Sequence, residues 1–241
     1  MTRDTLYSDA LGEAAEFRFD ERVVRVFPDM IQRSVPGYAL TVPLVGMLAR
    51  RFAQDGSKLY DLGCSLGAVT LAMRRAVQAD DVRIVAVDNA PAMVERCRAV
   101  IDEDNSSIPV EVIEADVRET PVENASVVVM HYTLQFVPPA DRLALLRRVH
   151  AGLREGGVLL LAEKIAFEDE GRAQRQSDWH HDFKRAQGYS DLEIAQKRAA
   201  LERVLQADSE TAHRERLASA GFSRVDRWFQ CFNFAAWIAA R

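Results

Sequence analysis

The chain has 241 residues, of which 48% are hydrophobic and 8% aromatic; that is enough for one substantial core and predicts a single domain over 1–241. Its formal net charge of -5 excludes the basic excess that a phosphate-tracking surface needs, so direct nucleic-acid binding is not expected. Cys64, Cys97 and Cys231 are widely spaced and form no CxxC pair, which excludes a disulfide framework or zinc site and points to a reducing cytoplasm. No apolar stretch resembles a signal peptide or reaches the roughly 20 residues of a membrane span, so a soluble intracellular protein is expected.

Residues 17–52 read as a helical cover, interrupted where Pro36-Gly37 in "FPDMIQRSVPGY" breaks the helix ahead of Tyr38. From Lys58 onward short β-branched runs alternate with helical patterns: "KLYDLG", "RIVAVDNA", "VEVIEAD", "ASVVVMHYTLQFV" and "GGVLLLAEK". The segments between them carry apolar residues at three and four spacing, and two open with Pro, which suits a first helical turn. This predicts an α/β, Rossmann-like fold: a mostly parallel sheet with helices on both faces. A helical insert covers 164–213, and "SRVDRWFQC" and "FNFAAWIAAR" read as a closing hairpin at the sheet edge, for seven strands in all.

"YDLGCSLG" follows the first strand and leads into a helix, where an open α/β sheet binds its ligand. The glycines do not fit GxGxxG, so a dinucleotide pyrophosphate is not indicated. An acid just before the loop, Asp61, suits instead the ammonium and sulfonium charges of S-adenosylmethionine, with the backbone of Gly63, Cys64 and Ser65 around it. Asp88, about twenty residues on and followed by Asn89, can accept both ribose hydroxyls. Asp116 closes the third strand, where its carboxylate or the Val117 amide can meet adenine. Cys64 is small enough for its loop and is not expected to be a nucleophile.

Within the insert, Ser190 and Glu193 form a capping box, so a helix starts there and sets Arg198 on one face with Ile194, Leu201 and Leu205. A guanidinium in an apolar stripe needs an anion; the alternative is a snorkelling side chain or a salt bridge to Glu. Arg33 is a weaker carboxylate candidate. His180 and His181 are adjacent, lack the i, i+4 spacing of paired helical ligands and give no metal site; "HHDFKR" reads as lid or subunit contacts.

The order of these motifs resembles the class I methyltransferase superfamily. More narrowly, "RDTLYS", "FDERV", "VFPDMIQRSVPGY", "YDLGCSLGA", "TLQFV", "HHDFKRAQGYS", "EIAQKRA" and "WFQCFNF" resemble the carboxy-S-adenosyl-L-methionine synthases over essentially the full length. The resemblance implies a homodimer that turns S-adenosylmethionine and prephenate into carboxy-S-adenosyl-L-methionine and phenylpyruvate. The product then serves a separate enzyme that carboxymethylates a wobble uridine in tRNA.

In the implied reaction prephenate loses carbon dioxide as its ring aromatises and expels hydroxide; the hydroxide takes a methyl proton, and the resulting sulfonium ylide captures the carbon dioxide. The protein supplies orientation, a dry site and cations for carboxylates. The resemblance marks Tyr38 as a ligand-binding residue and Arg198 as the contact to the carboxylated ligand. At His131, which closes the fourth strand, the family pattern has Asn, so a charge that can vary with pH replaces a neutral amide. Two alternatives stay open on the residues alone: a methyltransferase acting on a small anionic acceptor, and a non-catalytic S-adenosylmethionine sensor.

Overall fold

The computed structural model describes residues 2–8, 19–201 and 204–241; residues 17–18 of the expected cover and 202–203 of the expected insert lie outside them. Two helices lead, α1 (Glu21–Ser34) and α2 (Tyr38–Phe52), parted at Pro36-Gly37 as the sequence predicts. Gly37 has φ 80°, and a Cβ there would lie 2.4 Å from the Phe229 ring, so the break needs a residue without a side chain.

An alternating unit follows: β1 (Lys58–Leu62), α3 (Ala68–Ala76), β2 (Arg83–Asp88), α4 (Pro91–Asp102), β3 (Val110–Glu114), β4 (Ala125–His131), α5 (Pro139–Gly152) and β5 (Leu153–Ala166). Then come α6 (Glu170–Ala186), α7 (Asp191–Leu201), β6 (Asp208–Ser209), α8 (Glu210–Ala220), β7 (Arg224–Cys231) and β8 (Phe234–Ala240). The sheet order is β3-β2-β1-β4-β5-β8-β7. The first five strands are parallel, and the β7–β8 hairpin adds to β5 in antiparallel sense. The seven expected strands are therefore present, and the two-residue β6 joins β5 beside them.

Every residue of β4 is buried because apolar layers cover both faces of the sheet, which is why the central strands read as continuous apolar runs. One face packs Leu62, Val87, Met130 and Leu161 under α5 and α8. The other packs Leu59, Ile84, Val129 and Leu160 under α2 and α3. At roughly 1.5–3 kcal/mol per buried large aliphatic side chain, these two layers dominate the stabilisation. Among the described residues no helix is long and apolar enough to cross a membrane.

The strand order reverses at β1, so the carboxyl ends of β1, β2 and β4 open a crevice. The chain after α7 is anchored beside it by the buried Arg142, which donates to the carbonyls of Val137 (2.9 Å) and Gln206 (2.8 Å) and pairs with Asp208. That anchor carries α6 and α7 over the crevice. α1 meets them there: His180 Nε2 bonds the Ser34 carbonyl at 2.8 Å, and Arg33 Nε donates to the Gln187 carbonyl at 2.8 Å.

Candidate functional site

The loop after β1 is shaped by its own amides. Those of Gly63 and Cys64 both donate to the Val87 carbonyl, at 2.8 and 2.9 Å, and three residues take left-handed backbone: Gly63 (φ 89°), Ser65 (φ 49°) and Gly67 (φ 85°). Asp88 braces it from β2, accepting from the Ser65 amide at 2.9 Å and the Ala90 amide at 3.0 Å. Burial raises the Asp88 carboxyl and those amides oppose the rise. The Cys64 thiol is pushed well up, by a hydrogen bond with Cys97 and by burial, so it stays un-ionised and is no nucleophile.

Asp61 is 1% exposed. Thr70 Oγ1 donates to its Oδ2 at 2.6 Å, whereas Oδ1 is buried without a partner. Burial drives this carboxyl up to about 7, with Asp88 adding to the rise. An acid in that condition lacks a cation or donor, and an ammonium or sulfonium supplies one. The residues present therefore fit S-adenosylmethionine at this position.

Asp116 lies beyond the end of β3 rather than closing it, in the turn that follows. Its carboxylate is engaged by Arg118, whose Nη2 stands 2.6 Å away and whose Nη1 reaches Asp141 at 2.8 Å. The hydrogen bonds from Arg118 hold Asp116 below its ordinary value.

On the opposite wall the His131 ring lies 5.5 Å from that of Tyr38 and 4.5 Å from that of Tyr132, and its Nε2 shares a 3.1 Å hydrogen bond with Thr41 Oγ1. Burial lowers its pKa to about 3. The expected pH-variable charge is thus corrected: His131 is a neutral imidazole across the physiological range. Because its folded pKa lies below the unfolded one, its stabilising contribution is full above pH 6.5 and falls as the pH drops toward 3. His131→Asn should therefore gain on the wild type by about 2 kcal/mol between pH 7.5 and pH 5, read from urea unfolding at the two pH values. An unchanged difference would mean that His131 takes a proton in the folded chain.

Tyr38, Gly63, Cys64, Ser65, Asp88, Asn89, Asp116, Val117 and His131 all line one cavity of about 390 Å³, and Arg198 does not. The capping box forms, with the Ser190 amide 2.7 Å from Glu193 Oε2, but the buried face of α7 is Ile194, Lys197 and Ala200. The expected placement of Arg198 in the apolar stripe is corrected: the face advances by three from Ile194 to Lys197, and Arg198 falls about 100° off it, exposed. Its charge still opposes protonation of the cavity lysines Lys164 and Lys184. Arg33 does not line the cavity either. It pairs with Asp29 at 3.0 Å and lies 4.0 Å over the Tyr189 ring.

The sequence reading missed Lys164, Lys184 and Lys197, all on the cavity wall. Lys197 Nζ donates to Ser34 Oγ at 2.8 Å and stands 3.6 Å from Asp4 Oδ2, which also accepts from Tyr189 Oη at 2.6 Å. The Nζ atoms of Lys164 and Lys184 have no hydrogen-bond or ion-pair partner among the described residues. Burial, then neighbouring positive charge, lowers Lys184 to about 7; burial lowers Lys197 to about 8 although Asp4 opposes it; Lys164 is lowered too. The signal for Lys184 was present in "HHDFKR": His180 and Lys184, at i and i+4, share a helix face and both line the cavity.

A methyltransferase-domain family model matches residues 59–157. The chain is 58% identical to the carboxy-S-adenosyl-L-methionine synthase of Geobacter metallireducens over 239 residues, covering 99% of this chain and 98% of that one. It is 56% identical to the enzyme of the same name from Vibrio campbellii, covering 99% and 97%. Among solved structures, human N-acetylserotonin methyltransferase in complex with S-adenosylmethionine superposes with a TM-score of 0.63 at 18% identity, over 92% of this chain and 55% of that one. The cyclopropane synthase of Mycobacterium tuberculosis gives 0.56 at 22%, over 78% and 62%. These likenesses show the fold.

Proposed function

The chain belongs to the carboxy-S-adenosyl-L-methionine synthase family, and from that membership we propose that it converts S-adenosyl-L-methionine and prephenate to carboxy-S-adenosyl-L-methionine and phenylpyruvate. The observation that carries this reading is the identity of 58% and 56% along nearly the whole of both chains. The partnerless Asp61 oxygen and the cationic far wall of the same cavity support it, since the first suits a cationic donor and the second an anionic partner.

In this reading Asp61 faces the positive end of S-adenosylmethionine, the backbone of Gly63, Cys64 and Ser65 lies around it, and Asp88 and Asn89 take the ribose. The Asp116 carboxylate is already engaged by Arg118, so adenine recognition falls to the Val117 amide. Tyr38 and the neutral His131 close the wall, and the roof of α1, α6 and α7 keeps water out. Arg198 holds the new carboxylate of the product from the mouth of the cavity. The substrate supplies the base, and the chain's task is orientation and charge placement. A cytoplasmic homodimer whose product passes to a separate tRNA-carboxymethylating enzyme completes the reading, and the net charge of -5 suits a protein that does not itself hold RNA.

Mass spectrometry of small molecules after incubation with S-adenosylmethionine, with and without prephenate, tests it. A donor heavier by one carboxyl group, formed only with prephenate and together with phenylpyruvate, is expected. Accumulation of S-adenosylhomocysteine would overturn the reading in favour of methyl transfer, and binding without turnover would overturn it in favour of a sensor.

A further inference from the structure

We propose that Lys164, at the end of β5, and Lys184, on α6, form a paired carboxylate subsite that holds the 2-oxo acid carboxylate which the substrate keeps through the reaction. This rests on the synthase reading for the substrate's identity. Both amines belong to residues lining the cavity, and neither has a hydrogen-bond or ion-pair partner among the described residues. Two like charges on a half-enclosed cavity wall without counter-charge are costly, and an anion between them removes that cost. The third lysine differs: Lys197 is already held by Ser34 and Asp4.

The rest of this wall is aromatic. Tyr132, His180 and Phe234 line the cavity beside the lysines, with His180 and Phe234 rings 5.0 Å apart and edge to face. Cations beside aromatic side chains suit an anion that also carries a six-membered ring. The substrate has two carboxylates, and which one the lysines take follows from energetics. Strong pairing with the carboxylate that leaves as carbon dioxide stabilises the ground state more than the transition state, because its charge disperses as the bond breaks. The retained carboxylate keeps its charge throughout, so cations there anchor the substrate without raising the barrier.

Anion binding also favours the charged lysines, so it draws a proton into the site near neutral pH. The groups facing Lys184 are Lys164 from β5, Lys197 and Arg198 from α7, and His180 and His181 on its own helix. Lys184 itself and, among its neighbours, Lys197 titrate close to that range.

Calorimetry with phenylpyruvate as the probe, on protein saturated with S-adenosylmethionine, tests the subsite. Lys164→Met and Lys184→Met should each bind phenylpyruvate at least tenfold more weakly than the wild type, with S-adenosylmethionine affinity within twofold. Lys184→Arg should retain binding, and the proton uptake seen by the wild type at pH 7.5 should shrink in Lys184→Met. Unchanged phenylpyruvate affinity in both Met variants overturns the proposal. So does joint loss of both ligands that Lys184→Arg does not rescue. The outcome is separable from that of the synthase reading: lysine-dependent phenylpyruvate binding by a wild type that forms no carboxylated product supports the subsite and sinks the reaction.

Discussion

Asp61→Asn should weaken S-adenosylmethionine binding by at least about a hundredfold while leaving the unliganded protein as stable as the wild type or more so at pH 7.5. The first half follows from removing one partner of a buried charge pair, which costs about 3–5 kcal/mol. The second follows from the carboxyl's own condition: Oδ1 has no partner, and burial lifts the group to about 7. A carboxyl whose folded pKa is raised contributes stability that is complete below its unfolded value and is lost as the pH rises through 7. Asn carries no such loss.

The same titration governs the ligand. A cationic donor favours the ionised acid, so wild-type affinity should fall about tenfold from pH 7.5 to pH 6, and the Asn variant should lose that dependence. Calorimetry at the two pH values and thermal unfolding without ligand measure both halves. An Asn variant that binds normally would remove Asp61 from the site.

Gly63→Ala should disable the fold around the crevice as well as the site. Gly63 has φ 89°, and a Cβ there would stand 2.1 Å from Thr133 Oγ1 and 2.9 Å from Thr133 Cβ. Left-handed backbone costs a residue with a side chain about 1–2 kcal/mol, and overpacking adds about 1–3. Together these come to about 2–5 kcal/mol, or roughly 4–20 °C in Tm for a chain of this size. Thr133 has little room to yield. The next two amides, of Leu134 and Gln135, donate to Glu163 at 2.8 and 2.9 Å, so moving Thr133 strains the amide donors of a buried acid. Differential scanning calorimetry gives the Tm shift, and S-adenosylmethionine binding should fall with it. A variant with wild-type Tm and affinity would show that the β1 and β4 loops part freely.

Much of the architecture was legible in the chain because it is written in contacts between near neighbours. Alternating strand and helix periods, prolines at the first turns of α4 and α5, the Pro36-Gly37 break and the Ser190–Glu193 box each depend on a few adjacent residues. The crevice at the strand ends was legible too, since its loop directly follows β1 and its acids sit at or just beyond strand ends. The extra pairing of β6 was not, because two residues carry no period.

The protonation of His131 and the charge pattern of the cavity were decided only by tertiary packing. His131 is neutral because α2 and Tyr132 exclude water from it, which no local pattern encodes. Lys197 rather than Arg198 reaches the cavity because the angle at which α7 docks on α1 selects a three-residue over a four-residue step, and Asp4 then crosses the whole sequence to meet it. Lys164 and Lys184 line one cavity only when α6 folds back over the end of β5. A sequence determines by itself whatever its local periods and turn residues dictate; which charges face one another is set by long-range burial, because desolvation acts on neighbours in space.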